Sequence, residues 1–146
     1  MKAYIIRGLP GSGKTTLAKA ISAFEMAADD YFTSPDGEYK FDPAKLRDAH
    51  ADCLARFVQA LGRGPGFSPV VVHNTFTCRW EMEPYIRAAI ERGVEFTIIS
   101  LYDGGCIDTE LEEQNSHGVP LSAIRAMRRR WEMDWKRGNP LPPWER

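Results

Sequence analysis

A glycine-rich stretch near the start of the chain, GLPGSGKTT at residues 8–16, most constrains what this sequence can fold into. It follows an apolar run at residues 3–6 and precedes apolar residues at helical spacing. The pattern G-x-x-x-x-G-K-T between a strand and a helix is the P-loop motif. Its glycines let the backbone wrap an anion, and the helix presents its positive N-terminus to that anion. A glycine turn without a ligand is the alternative interpretation, which the flanking strand and helix disfavour.

The loop predicts a nucleoside triphosphate site in which each residue type has a defined task. The Lys14 ammonium would reach the β- and γ-phosphates, and the Thr15 hydroxyl would ligate Mg²⁺. We therefore expect ATP and Mg²⁺ as cofactors. The predicted nucleotide-binding residues of the loop are Gly8, Leu9, Pro10, Gly11, Ser12, Gly13, Lys14, Thr15 and Thr16.

Hydrophobic periodicity predicts strands that alternate with helices, which indicates βαβ units and a parallel sheet. The expected strands are residues 2–7, 24–28, 69–73 and 94–101. The expected helices are residues 14–23, 42–61, 79–92, 108–116 and 120–136. One face of the second helix carries the apolar residues Leu46, Ala49, Cys53, Phe57 and Leu61. We expect one domain over residues 1–146, with an extended Pro-rich C-terminal tail at residues 138–146.

Composition excludes several classes of protein. The 146 residues carry a formal net charge of −1, which disfavours a uniformly basic surface for duplex DNA. The three cysteines are odd in number and form no C-x-x-C pair, so a reducing cytoplasm is expected rather than a disulfide framework. No apolar segment approaches the ~20 residues of a membrane span, so no membrane partner is expected.

Polar residues follow two of the predicted strands where a ligand would bind in such a sheet. Asp29 and Asp30 end the second strand. Asp29 could accept the proton of an attacking hydroxyl and orient it for in-line attack. The alternatives are a solvated turn and an aspartate that caps a helix. His73 and Asn74 end the third strand, where many P-loop proteins carry an aspartate for Mg²⁺, and a histidine satisfied within the protein is equally compatible with His73.

Five stretches in one order resemble the P-loop polynucleotide kinase family, which includes phage 5′-hydroxyl kinases and the kinase domain of the NEDD4-binding-protein-2 type. They are GLPGSGKTT, ADDYF, YKFDPAKLRDAH, VVVHNTFTCRWEMEPYI and ELEEQNSHGVPLSAIRAMRRRWE. The resemblance implies an α/β P-loop NTPase of the kinase-like type, with a four-stranded parallel sheet, helices on both faces and a helical lid. It implies that Asp29 is the general base, that Thr75 lies near the acceptor, and that residues 111–120 are the lid over ATP.

The lid departs from the family pattern at one position. The family usually carries arginine just before the lid asparagine, and this chain has Gln114. An arginine there would neutralise charge on the transferring phosphoryl group, whereas glutamine brings no charge. Either Arg125, Arg128 or Arg129 of the last helix supplies this charge, or catalysis is weak. Gln114 and Arg125 complete the predicted nucleotide site.

The predicted activity is transfer of a phosphoryl group from ATP to a hydroxyl of a nucleic acid, most simply a single-stranded 5′-OH end. Basic and aromatic side chains suit a single strand, although core packing is an alternative for Trp80 and a solvated helix face for the arginines at 128–130. The predicted acceptor-binding residues are Asp30, Tyr31, Arg47, His73, Asn74, Thr75, Arg79 and Trp80. Two alternatives stay open. The acceptor could be a modified base such as a hydroxymethyl pyrimidine in DNA, a nucleoside or another small alcohol, or the chain could be a nucleotide-binding module with little transferase activity.

Overall fold

The computed structural model describes residues 1–64 and 66–133, and its centre is a four-stranded parallel sheet. The strands are β1 (Lys2–Gly8), β2 (Glu25–Met26), β3 (Val70–Asn74) and β4 (Glu95–Tyr102). Their order across the sheet is β2-β3-β1-β4. β1 pairs with β3 on one side and with β4 on the other, and Ile5 lies opposite Val72 and Ile98. The predicted parallel sheet is confirmed.

Five α-helices connect and cover the strands in the described part of the chain. They are α1 (Lys14–Ile21), α2 (Leu46–Leu61), α3 (Arg79–Glu91), α4 (Asp108–Gln114) and α5 (Leu121–Arg130). Two short 3₁₀ segments, Ala28–Phe32 and Pro43–Lys45, complete the helical elements. Asp42 starts the second segment as its sequence indicates, because its carboxylate accepts the Ala44 N–H at 3.0 Å. None of these helices is long and apolar enough to cross a bilayer.

Alternate residues of the strands pack into separate cores on the two faces of the sheet. Ile5 and Val72 join the core under α2 and α3, where the Phe57 and Tyr85 rings meet edge to face at 5.2 Å. Ile6 packs in a second core with Ala18 of α1. A third apolar cluster lies under α4 and α5, and its buried members are Leu9, Leu111, Ile124 and Trp131. Helices therefore cover both faces, as the sequence predicts.

Two predicted boundaries and one predicted core position are wrong. β2 contains only residues 25–26, because the chain enters the 3₁₀ segment at Ala28. Leu46 is 42% exposed, since the predicted apolar face becomes buried only from Ala49 onward. α5 ends at Arg130 rather than near residue 136, because the buried Trp131 and the Glu132 N–H, which donates to Thr77 O at 2.8 Å, return to the sheet. The Pro-rich tail, residues 138–146, lies outside the described residues.

Candidate active site

The loops that follow the strands converge at the carboxyl edge of the sheet. The Gly8 N–H donates to Thr75 O at 3.3 Å, which joins the start of the phosphate loop to the end of β3. The Ala28 N–H donates to the Asn74 carboxamide at 2.8 Å, which ties the segment carrying Asp29 to the same strand. The loops after β1, β2 and β3 therefore meet at one edge of the sheet. They open into a cleft of about 1920 Å³.

The phosphate loop has the backbone geometry that its glycines predict. Gly11 and Gly13 have φ angles of 83° and 97°, which side-chain-bearing residues rarely adopt. A Cβ on Gly11 would also lie 2.5 Å from Leu111 O of α4, so glycine lets the two segments approach closely. Within the described chain, the backbone N–H groups of residues 13–16 donate to no carbonyl. They are free to bind an anion at the N-terminus of α1.

Lys14 and Ser12 also have polar groups that the protein leaves incompletely satisfied. Lys14 Nζ donates to Leu9 O at 3.2 Å, and burial lowers the pKa of Lys14 to about 8, against the opposing effect of the Asp29 charge. The buried Ser12 Oγ has no hydrogen-bond partner among the described residues. A phosphate anion in the cleft would complete Lys14, because its oxygens accept hydrogen bonds and its charge favours the ammonium.

The same residues fit Mg²⁺ as a companion of the phosphates. Thr15 lines the cleft with its side chain exposed. The described residues contain no group of three His, Cys, Asp or Glu side chains able to cage a metal. Mg²⁺ does not require such a cage, since it keeps several waters and binds few protein groups together with phosphate oxygens. The Thr15 hydroxyl is therefore the protein ligand that the loop offers.

Asp29 lies across the cleft from the phosphate loop and holds two hydrogen bonds. The Tyr39 hydroxyl donates to Oδ1 at 3.0 Å, and His117 Nδ1 lies 3.1 Å from Oδ2. Burial alone would raise the pKa of Asp29, but His117, the Tyr39 hydroxyl and the Lys14 charge together hold this pKa below its usual value. The carboxylate is therefore ionised at neutral pH, as a proton acceptor must be.

Three predicted acceptor residues line the cleft with partners inside the protein. Asp30 Oδ2 accepts the Ala27 N–H at 2.9 Å and lies 3.3 Å from Arg56, so it caps the 3₁₀ segment. Asn74 holds Ala28, as described above. His73 Nε2 lies 2.5 Å from Glu25 Oε2; burial lowers the pKa of His73, and Glu25 opposes that effect. His73 thus has a partner within the protein. Acceptor binding by these three residues stays a prediction.

The remaining predicted residues divide into two groups. Those that line the cleft are Thr75, Trp80, Arg47 and Gln114, together with the loop residues Pro10, Gly11, Gly13, Lys14, Thr15 and Thr16. The structure does not bring Tyr31, Arg79 or Arg125 to the cleft, and the predicted loop residues Gly8, Leu9 and Ser12 do not line it either. Tyr31 is 43% exposed and packs edge to face on Phe32. Arg79 Nε lies 3.7 Å from Glu83, and Arg125 Nε lies 3.7 Å from Asp108.

The arginines of α5 are arranged differently from the expectation that one of them supplies positive charge to the lid. Arg128 binds Asp103 at 2.9 Å and Asp108 at 2.6 Å, and these hydrogen bonds raise its pKa further. Neither Arg128 nor Arg129 lines the cleft within the described chain. Arg130 lines it instead, with its Nε donating to Thr77 Oγ1 at 3.3 Å.

Sequence reasoning missed Tyr39 and His117 as site residues. Both lie inside stretches that carry the family resemblance, YKFDPAKLRDAH and ELEEQNSHGVPLSAIRAMRRRWE. Their place in these stretches was the one signal in the sequence that could have indicated them. A lone histidine in a polar loop is usually exposed or structural, so its type alone gave no reason to place it at the site. Their rings stack at 4.3 Å with an interplanar angle of 18° beside Asp29.

A P-loop at the first strand, a parallel sheet of order β2-β3-β1-β4 and helices on both faces define a P-loop NTPase with a kinase-like fold. The chain belongs to the AAA domain family AAA_33, whose model matches residues 4–133. It is 33% identical over 135 residues to NEDD4-binding protein 2 of Homo sapiens, a match that covers 84% of this chain and 7% of that protein. The family resemblance drawn from the sequence is therefore confirmed.

Solved structures agree on the fold. A gluconokinase from Sinorhizobium meliloti 1021 superposes with a TM-score of 0.58 at 17% identity, covering 93% of this chain and 77% of that chain. A chain of the Pnkp1/Rnl/Hen1 RNA repair complex superposes with a TM-score of 0.65 at 18% identity, covering 88% of this chain and 43% of that chain. The chain thus spans less than half of that chain and a small part of NEDD4-binding protein 2.

Proposed function

We propose that this protein is an ATP- and Mg²⁺-dependent kinase that transfers the γ-phosphate to a hydroxyl of a nucleic acid, most simply a polynucleotide 5′-OH end. The observation that carries the proposal is the ionised Asp29 carboxylate in the same cleft as Lys14 and the unpaired amides of residues 13–16. An anion cradle and a base on opposite sides of one cleft suit a phosphoryl donor and a hydroxyl acceptor.

Each group has a definite task in the proposed transfer. Lys14 and the loop amides hold the β- and γ-phosphates, and Thr15 contributes its hydroxyl to Mg²⁺, which when bound neutralises phosphate charge. Asp29 orients the acceptor hydroxyl and accepts its proton. The acceptor oxygen forms the new P–O bond as the bond from the γ-phosphorus to the bridging oxygen breaks, and ADP leaves. The chain's part is positioning and charge stabilisation.

The outer part of the cleft favours a nucleic acid as the acceptor. It continues from the site between α2 and α3, where Arg47, His50, Trp80 and Arg87 line it. Arg47 and Arg87 are exposed and have no ion-pair partner among the described residues. Cationic side chains beside an aromatic ring suit the phosphates and bases of a single strand. The fold likeness to a chain of an RNA repair complex is consistent with this acceptor.

A small alcohol or a modified base is the second candidate acceptor. Glu81, Glu83 and Glu91 line the same outer cleft and reduce its positive charge. The fold likeness to a gluconokinase shows that this architecture also occurs in a kinase named for a small molecule. A short acceptor would use Asp29 without extending along α2 and α3.

Phosphoryl transfer from γ-labelled ATP tests the proposal and separates the acceptors. The protein is incubated with Mg²⁺ and, in parallel, with 5′-OH DNA and RNA oligonucleotides, modified-base DNA, nucleosides and gluconate. We expect label on 5′ ends that a phosphatase removes. Label that resists removal of 5′-phosphates would indicate a modified base. Tight ATP binding without any labelled acceptor would contradict the kinase proposal and indicate a nucleotide-binding module.

Substitution of Asp29 by Asn tests the base directly. We expect transfer to fall at least about 100-fold with ATP affinity nearly unchanged, since the amide cannot accept the hydroxyl proton. Asp48→Asn, on the exposed surface of α2, is the matched control and should leave the rate unchanged. Equal activity of Asp29→Asn and wild type would exclude Asp29 as the base.

A further inference from the structure

The two donors on Asp29 come from segments that lie far apart in the sequence. Tyr39 belongs to the loop between the 3₁₀ segments, and His117 belongs to the lid segment, which we define as residues 111–120. Each donor occupies a different carboxylate oxygen, at 3.0 Å and 3.1 Å. Asp29 itself lies on the 3₁₀ segment that Asn74 anchors to β3. Its backbone is thus fixed by the sheet, while its carboxylate is fixed partly by the lid.

The aromatic stack determines the direction of the His117 hydrogen bond. The His117 and Tyr39 rings are stacked at 4.3 Å and nearly parallel, so the imidazole plane is held. In this orientation Nδ1 is the nitrogen beside Asp29, and a proton on Nδ1 makes it the donor. The stack holds the ring in place, whereas the Nδ1 proton makes the contact that orients Asp29.

The lid segment is in turn joined to the phosphate loop. Leu111 packs with Leu9 in the cluster under the lid, and its carbonyl lies against Gly11 so closely that only glycine fits. Asn115 fixes the turn that carries His117, because its carboxamide binds the Leu111, Glu112 and Val119 carbonyls and the Val119 N–H. The position of His117 thus depends on the position of the lid against the nucleotide site.

We propose that His117 is a positioning residue that orients the Asp29 carboxylate when the lid lies over the nucleotide, so that the acceptor base is ready only in the closed state. This inference rests on the proposed kinase function. His117 takes no part in the bond changes: the acceptor proton still goes to Asp29. With the lid open, Asp29 keeps the Tyr39 hydroxyl alone and its carboxylate is free to rotate. Misplacement of a reacting group by about 1 Å costs about 100-fold in rate.

Two matched variants separate the donor from the ring. His117→Asn keeps an N–H donor near the place of Nδ1, whereas His117→Phe keeps a ring on Tyr39 and removes the donor. We expect His117→Phe to lower kcat for phosphoryl transfer about 10- to 100-fold with the KM for ATP within twofold of wild type. His117→Asn should retain kcat within about threefold. Wild-type kcat in His117→Phe, or equal losses in the two variants, would overturn the proposal.

A readout without activity tests the contact and keeps it separate from the proposed function. In histidine ¹⁵N-labelled protein, we expect His117 to carry its proton on Nδ1, and Asp29→Asn to shift this resonance while leaving His50 unchanged. An identical His117 spectrum in wild type and Asp29→Asn would overturn the orienting contact. If the contact is observed but the wild-type protein phosphorylates none of the acceptors, the kinase function fails and the role of His117 in transfer fails with it.

Discussion

At the scale of the residue, the candidate site contains buried polar groups that have lost their water without gaining a full set of partners in the protein. Burial lowers the pKa of Lys14 to about 8, and Ser12 Oγ is buried without a partner among the described residues. Such groups destabilise the ligand-free protein, because a desolvated charge or hydroxyl has lost its water. Lys14, which lines the cleft, would bind an anion strongly because it needs little reorganisation when the anion arrives.

Lys14→Met isolates the stability cost of this ammonium. The Lys14 pKa is lower in the folded protein than in the unfolded chain, where it is about 10.4. Folding therefore disfavours the protonated form below pH 8, and the cost disappears as pH rises through the unfolded value. We expect Lys14→Met to raise the free energy of unfolding of the ligand-free protein at pH 7 by about 1–3 kcal/mol, and to raise it less toward pH 10. Urea unfolding at both pH values measures the difference.

The same substitution, which should stabilise the ligand-free protein, should weaken nucleotide binding. Lys14→Met should abolish the rise in melting temperature that ATP and Mg²⁺ give the wild-type protein, because the phosphate contact is lost. Lys45→Met, an exposed lysine outside the cleft, is the control and should change neither quantity. A Lys14→Met protein less stable than wild type at pH 7 would contradict the assigned burial cost.

At the scale of the element, the lid segment is shaped mainly by one side chain. Asn115 Nδ2 donates to Leu111, Glu112 and Val119 carbonyls at 3.2, 2.9 and 3.0 Å, and its Oδ1 accepts the Val119 N–H at 2.8 Å. These bonds close the turn after α4 and replace the backbone partners that the end of this short helix lacks. The lid is thus a locally built turn on a helix of seven residues.

Asn115→Ala should loosen the lid and leave the sheet intact. Loss of the carboxamide leaves the Val119 N–H and the Glu112 and Val119 carbonyls without this partner, whereas Leu111 O keeps the Asn115 N–H. A lost partner of this kind costs about 1–3 kcal/mol. We expect faster amide hydrogen exchange at residues 115–119, unchanged exchange in β1 and β3, and weaker ATP binding. Glu113→Ala, an exposed residue of α4 outside the cleft, is the control. Unchanged exchange at residue 119 in Asn115→Ala would show that other contacts hold the turn.

Some elements could be predicted from the sequence, whereas others depend on contacts between distant residues. β1, the phosphate loop and α1 follow from local signals, because apolar runs, glycines and helical spacing act over a few residues. The end of α5 depends instead on Trp131, which packs against Arg7, a residue near the other end of the sequence. The Asp29–His117 contact joins residues from separate loops, so no periodicity encodes it. The phosphate loop and Asp29 were predicted from the motif and from the ends of the predicted strands, whereas the partners of Asp29 are seen only in the structure.

At the scale of the whole molecule, Arg7 connects the sheet to the last helix. Its side chain is 1% exposed, and its guanidinium donates to Phe76 O at 3.0 Å, Thr77 O at 2.9 Å and Glu132 O at 2.8 Å. It lies 3.9 Å from the centre of the Trp131 ring. Burial lowers the pKa of Arg7 to about 10, and the Glu132 charge opposes this effect, so Arg7 stays charged at neutral pH. One side chain thus links β1, the loop after β3 and the end of α5.

Arg7→Leu should therefore weaken the whole molecule and release the end of α5. Leucine fills part of the volume but leaves buried carbonyls without their charged donor, and removing one partner from such a buried network costs about 3–5 kcal/mol. We expect a loss of this size in urea unfolding and faster hydrogen exchange of the Glu132 amide, which is bonded to Thr77 O. Arg129→Leu, on the exposed face of α5, should stay within about 0.5 kcal/mol of wild type. If the Glu132 amide of Arg7→Leu kept its wild-type protection, the end of α5 would be held by contacts other than Arg7.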